Sequence, residues 1–215
     1  MPREPIGYSQ AGQDVFVLAM LHGPQAGTFA DIGCERPFEI SNSLLLEERG
    51  WRGIALDIDD YREAWAARET PFIQADALNC DFAALFAEHG LASPIDYLSL
   101  DVELKGERLT ALENVLASGF EFKVITMEHD AFKPGFDEAE RQPQRALLTS
   151  LGYELVCADV HAGNGLAFED WWAHPGHVPA SRSGTYRCDY KGHREIFSTA
   201  GVDLDAVYAA ISRHA

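Results

Sequence analysis

Five short apolar runs of this chain each stop at a carboxylate: Thr28–Asp31, Ile54–Asp57, Phe72–Asp76, Tyr97–Asp101 and Val124–Glu128. If these runs are neighbouring parallel strands, all five acids fall along one edge of a sheet, the edge where doubly wound folds bind their ligands. Two carboxylates about 6 Å apart repel by roughly 3 kcal/mol at an effective dielectric near 20, so such a rim calls for a positively charged ligand or a metal ion. Singly, each acid could simply cap the amides of its own loop, a common task for Asp in turns. Taken as a register-matched series, they predict a binding site.

The loop after Asp31 reads Ile32-Gly33-Cys34-Glu35-Arg36-Pro37, with one glycine where a dinucleotide fingerprint places three. A pyrophosphate cradle is therefore not expected, although Gly33 still permits a tight turn and a close approach. Asp57, ending the second strand, is placed to accept hydrogen bonds from both ribose hydroxyls of an adenosine. Asp76, with Ala77 beside it, could meet an adenine amino group, and Asp31 could balance an ammonium or sulfonium. The expected cofactor is S-adenosylmethionine.

Methyl transfer is an in-line displacement, and an aliphatic or sugar hydroxyl needs a base or a metal to lose its proton. Asp101, Glu103, Glu128, His129 and Asp130 gather at the ends of the fourth and fifth strands. Asp101, Glu128 and His129 are the expected catalytic residues. As ligands they also suit magnesium or manganese; without a metal, His129 would be the base, oriented by Asp101 or Glu128. The alternative is that Glu128 and His129 only pin the loop to the sheet.

Two other groups invite chemistry. In His174-Pro175-Gly176-His177 the Pro-Gly prevents helical pairing of the imidazoles, and no Cys lies at ligand spacing, so zinc is not expected there. Trp171-Trp172 should end the last strand in the core, or else wall an acceptor site. Arg182, Tyr186, Arg187, Tyr190, Lys191 and Arg194 form either a solvated surface or a lid that receives an anionic acceptor.

The elements that position these residues alternate. Ser9 could cap a first helix carrying Val15, Leu18 and Ala19, stopped by His22-Gly23-Pro24; Ser41-Asn42-Ser43 could cap a second, and Phe82, Leu85, Phe86 and His89 recur at helical spacing. Leu109, Leu112, Val115 and Leu116 repeat the pattern. A further helix within Asp137–Leu151 could start late, because Pro143 is best tolerated in a first turn. Strands at Tyr153–Val160 and Gly165–Trp171 with Asn164-Gly165 between them predict a closing antiparallel hairpin. Residues 174–199 are too irregular to assign, and Leu204, Val207, Tyr208 and Ile211 mark a terminal helix. The whole predicts one α/β domain: an N-terminal helix over 1–25, a doubly wound, mostly parallel sheet over 26–172, and an irregular tail with a helix over 173–215.

Composition narrows the partners. A formal charge of -17 from 34 acidic and 17 basic side chains opposes the counterion release that drives nucleic-acid binding. The four cysteines are scattered, and neither an apolar signal core nor a membrane-length run is present. The expectation is a cytoplasmic protein acting on a small-molecule or sugar acceptor, with homo-oligomerisation open.

Ser9-Gln10 with Gly12-Gln13-Asp14, then ADIGCERPFEISNSLLLEERGWRGIALDID, YLSLDVE and VITMEHD, resemble the FkbM-type methyltransferases over about residues 9–160. The resemblance implies a class I, Rossmann-like fold with an antiparallel last strand, S-adenosylmethionine as cofactor and O-methylation of a small molecule or sugar. It implies cofactor contact for Asp31, Gly33, Asp57 and Asn42. Cys34-Glu35 stand where that family has a small residue and then Asn or His, and Leu104-Lys105 intervene before Gly106-Glu107. A methyltransferase fold that only binds, or a nucleotide-dependent oxidoreductase, are the alternative readings.

Overall fold

A computed structural model describes residues 7–21, 26–102, 107–133 and 138–202. In chain order the elements are α1 (Gln13–Met20), β1 (Thr28–Ile32), α2 (Leu44–Glu48), β2 (Arg52–Asp57), α3 (Arg62–Trp65), β3 (Phe72–Gln74), α4 (Phe82–Glu88) and β4 (Ile95–Leu100). They continue with α5 (Arg108–Ala117), β5 (Phe122–Glu128), α6 (Glu138–Ser150), β6 (Glu154–Val160), β7 (Glu169–Ala173), α7 (Ala180–Tyr186), β8 (Cys188–Asp189) and α8 (His193–Thr199).

The strands form one sheet in the order β3-β2-β1-β4-β5-β7-β6-β8. β1 to β5 pair in parallel, and β7 runs antiparallel between β5 and β6. This is the expected architecture: α/β, Rossmann-like, doubly wound and mostly parallel, ending in an antiparallel hairpin. Its order reverses between β1 and β4, the switch point beside which such sheets leave a crevice.

Side-chain alternation makes two cores. Phe29, Tyr97, Val124 and Trp171 pack on one face with Phe16, Trp51 and Phe197. Their chain neighbours Ala30, Leu98, Ile125 and Trp172 pack on the other with Phe82, Phe86 and Leu112. Both faces are thus covered, which is why these strands read as continuous apolar runs. Trp171 and Trp172 are buried core residues on opposite faces.

Several boundaries differ from the sequence expectation. α1 is preceded by Gly12 rather than Ser9, because the Ser9 hydroxyl donates instead to Asp14 at 2.6 Å. α6 begins at Glu138 and carries Pro143 inside it. β3 stops at Gln74, two residues before Asp76, and β7 begins at Glu169 rather than Gly165. Residues 161–168 form the connection, where Asn164 Oδ1 accepts from the Leu166 amide. Residues 174–199 contain α7, β8 and α8, elements too short for a periodic signal. The break at His22-Gly23-Pro24, Glu103, the Leu104–Glu107 insertion as far as Gly106, and the helix at Leu204–Ile211 lie outside the described residues. Among the described residues no helix is long and apolar enough to cross a membrane.

Candidate active site

The carboxyl ends of β1, β2, β4 and β5 open into a cavity of about 560 Å³, within the size range of small-molecule clefts. Asp31, Asp57, Asp76, Asp101 and Glu128 all line it. Gly33, Asn42 and Ala77 line it too, so every residue expected to hold a cofactor faces the same space.

Gly33 shapes the wall at φ +79°, where a Cβ would fall 1.7 Å from the Asp101 carbonyl oxygen. Only glycine lets the β1 loop pass so close to the end of β4. Gly33 and Cys34 then donate to the Leu56 carbonyl at 2.8 and 3.2 Å, locking the loop across β2.

Asp31 is 2% exposed. It accepts from the side chains of Ser43 and Ser99, while burial pushes its carboxyl up from the ordinary value. Its Oδ2 is buried without a hydrogen-bond partner among the described residues. Asn42 donates to Ser99 Oγ at 2.9 Å, and its own Oδ1 is likewise unpartnered. Two unmet acceptors on one wall favour a ligand that brings N–H donors.

Asp57 Oδ2 accepts from the Glu35 amide and Oδ1 from the Asp59 amide, each at 2.9 Å. Asp76 accepts from the Leu78 amide at 2.9 Å and the Asn79 side chain at 2.7 Å. Both therefore cap their own loops, and because each carboxylate oxygen carries two lone pairs, both keep acceptor capacity toward the cavity. Among the described residues neither Lys nor Arg forms an ion pair with Asp31, Asp57, Asp76 or Asp101.

At the far end, Asp101 and Glu128 hydrogen-bond to each other, and burial raises both carboxyls well above the ordinary range. The pair shares a proton at neutral pH, because two ionised carboxylates in contact would repel. Arg108, 1% exposed, donates to Glu128 at 3.3 Å and to Asp130 at 2.8 Å. Lys133 also pairs with Asp130.

His129 does not join them. Successive strand residues point to opposite sides, so Glu128 and Asp130 turn toward Arg108 and the cavity while His129 turns away. Its Nε2 lies 3.4 Å from Asp159 and 3.5 Å from Asp170, and its Nδ1 accepts from the Ala131 amide. Asp101, Glu128 and His129 therefore do not converge as a base with its orienters, nor as a magnesium or manganese set.

Sequence reasoning missed Arg108, which the α5 pattern hides as one more helix residue. It also gave no role to Gln10, Tyr61 and Phe168, which complete the wall. Gln10 carried a signal, since it sits in the Ser9–Asp14 motif that Asp14 folds by accepting from Ser9 and the Tyr8 amide. The basic residues after α7 lie off the cavity: Arg187 pairs with Glu154, Lys191 with Glu195, and Tyr190 donates to the Gly165 carbonyl.

No family model matches the chain, and no curated protein matches it. Among solved structures, it is similar to the MycE methyltransferase of the mycinamycin biosynthetic pathway, crystallised with Mg and SAH, at 17% identity and TM-score 0.44; the match covers 69% of this chain and 45% of MycE. The chain thus spans under half the length of MycE. A human methyltransferase 10 domain containing protein matches at 11% identity and TM-score 0.48, over 81% of this chain and 84% of that one. Likenesses of this size are too distant to bear on function.

Proposed function

We propose that this chain is a methyltransferase dependent on S-adenosylmethionine that methylates a hydroxyl oxygen of a small molecule or sugar. The observation that carries the reading is the cavity itself: five carboxyl groups, four at or beside strand ends and Asp76 in the loop after β3, face one space, and four of the five have no Lys or Arg partner among the described residues. Such a lining repels a pyrophosphate and favours an adenosine that carries positive charge.

Residues already on the wall suit each part of that ligand. Asp57 would receive the ribose hydroxyls through lone pairs left over from its two loop amides, and Asp76 with Ala77 would border the adenine. The unpartnered Asp31 Oδ2 and Asn42 Oδ1 would accept from the ammonium end. When bound, the cofactor supplies a methyl group on a sulfonium, open to in-line displacement.

The chain supplies the proton acceptor. The Asp101–Glu128 pair holds one proton and retains a basic site, so it can take the proton of the acceptor hydroxyl and later release it to water. Arg108 limits the charge that accumulates on Glu128 and Asp130. His129 has no part in this step; it ties the end of β5 to Asp159 and Asp170.

The reading is tested by incubating the protein with methyl-labelled cofactor and hydroxyl-bearing sugars, polyketides, lipid head groups and peptides. Label on oxygen that disappears in Asp101→Asn supports it. Label on nitrogen would correct the acceptor atom, and cofactor binding with no transfer to any acceptor would favour a binding protein instead.

A further inference from the structure

At the opposite edge of the sheet from the cavity, three side chains converge that no catalytic reading uses. Glu121 immediately precedes β5, and His174 and His177 follow β7. Their ligating atoms all lie within 4.8 Å of one another. His177 Nε2 is in hydrogen-bond contact with Glu121 Oε1, and His174 Nε2 stands 3.8 Å from Glu121 Oε2.

The Pro175-Gly176 step that forbids a helix is what brings the imidazoles together. It forms a turn in which His177 and Val178 amides both donate to the His174 carbonyl at 2.9 Å, leaving the ring centroids 5.3 Å apart. Glu121 could not be found from local spacing, because the β5–β7 pairing delivers it: the His174 amide donates to the Lys123 carbonyl at 2.9 Å.

The three are held in place from behind. The Glu121 amide donates to Ser93 Oγ, and its carbonyl accepts from Ile95. Tyr153 packs edge-on against the His174 ring, at 5.1 Å and 81°. The three side chains are nevertheless 45%, 21% and 26% exposed for Glu121, His174 and His177, so an ion can reach them.

We infer that Glu121, His174 and His177 form a binding site for a divalent transition-metal ion of the zinc class, with water completing the shell. Two imidazoles and one carboxylate are a donor set for zinc, cobalt or nickel rather than for magnesium or calcium. Bonds of about 2.1 Å in a tetrahedral shell put ligand atoms about 3.4 Å apart, so the His177–Glu121 contact must open by about an ångström while His174 closes by a few tenths of an ångström. The weak bond from the Gly176 amide to His174 Nδ1, at 3.2 Å, is given up as that nitrogen takes the proton displaced from Nε2.

A second trio, His129, Asp159 and Asp170, meets the same distance test but carries no such inference. Arg141 and Arg145 already pair with its carboxylates, which puts cations where a metal would sit. No Lys or Arg among the described residues pairs with Glu121.

The ion would clip the start of β5 to the end of β7, so the site is structural and independent of the methyl-transfer reading. The test uses the untagged full chain, stripped with a chelator, titrated with Zn²⁺ against a chromophoric competitor and with Co²⁺ by visible absorption. Expected are one equivalent of metal, a Co²⁺ spectrum of a low-coordinate site, and a Tm raised by about 5–10 °C at a hundredfold excess over Kd. His174→Asn and Glu121→Gln, each checked for native circular dichroism, should weaken binding by more than about tenfold, while Asp159→Asn should not. Absence of binding at millimolar Zn²⁺, or equal binding by the parent and both variants, would overturn the inference.

Discussion

The carboxyl groups of Asp101 and Glu128 hydrogen-bond to each other across the ends of adjacent parallel strands, in a cavity wall that Arg108 supports from behind. A single shared proton follows from their burial, and with it a base whose strength exceeds that of an ordinary carboxylate.

Replacing Asp101 by Asn, or Glu128 by Gln, removes that base while preserving shape. Turnover is expected to fall by about 10²–10⁴-fold with cofactor affinity little changed. In the parent, kcat should rise with pH as the doubly protonated pair loses its first proton and gains its basic site, in a window above the ordinary carboxylate range because burial raises both groups. A flat pH profile, or parental turnover in both variants, would contradict this role.

Gly33→Ala places a methyl group on the Asp101 carbonyl at a φ that disfavours any side chain. Urea unfolding should show a loss of about 2–4 kcal/mol. Native stability in this variant would mean that the β1 loop does not pass beside β4 as described.

His129→Ala separates anchoring from catalysis. Losing the contacts to Asp159, Asp170 and the Ala131 amide should cost about 1–3 kcal/mol of stability, while turnover at saturating substrates stays within about twofold of the parent. A loss of turnover as large as that of Asp101→Asn would return His129 to the reaction.

Glu169 is 3% exposed and accepts from the Trp171 indole at 2.6 Å; burial pushes its carboxyl up to about 8. Between about pH 4.5 and 8 the folded state therefore holds a proton that the unfolded state has lost, so stability falls as pH rises through that window. Glu169→Gln keeps the acceptor for Trp171 and removes the titration. Its Tm should exceed the parent's at pH 8.5 and match it near pH 5; an unchanged difference across that range would refute the assignment.

The strand-end acids were legible because each closes an apolar run, and parallel pairing of those runs leaves one geometry for their ends. His129 was misplaced because a side chain one step past Glu128 points to the other side of the strand. Glu121 escaped notice beside His174 and His177 because only the β5–β7 pairing joins residues so distant in sequence. β8, at two residues, has no period to detect, and Arg108 is indistinguishable in sequence from a solvated helix arginine until α5 docks it against Glu128 and Asp130.

The central claim is that the acidic cavity holds a positively charged adenosine, and calorimetric titration tests it directly. S-adenosylmethionine should bind the parent with one site and a Kd in the micromolar range, and Asp57→Asn should weaken it by about tenfold or more, the worth of one charged hydrogen bond. NADH should not bind. No heat with S-adenosylmethionine at millimolar concentration, or equal affinity in Asp57→Asn, would contradict the account.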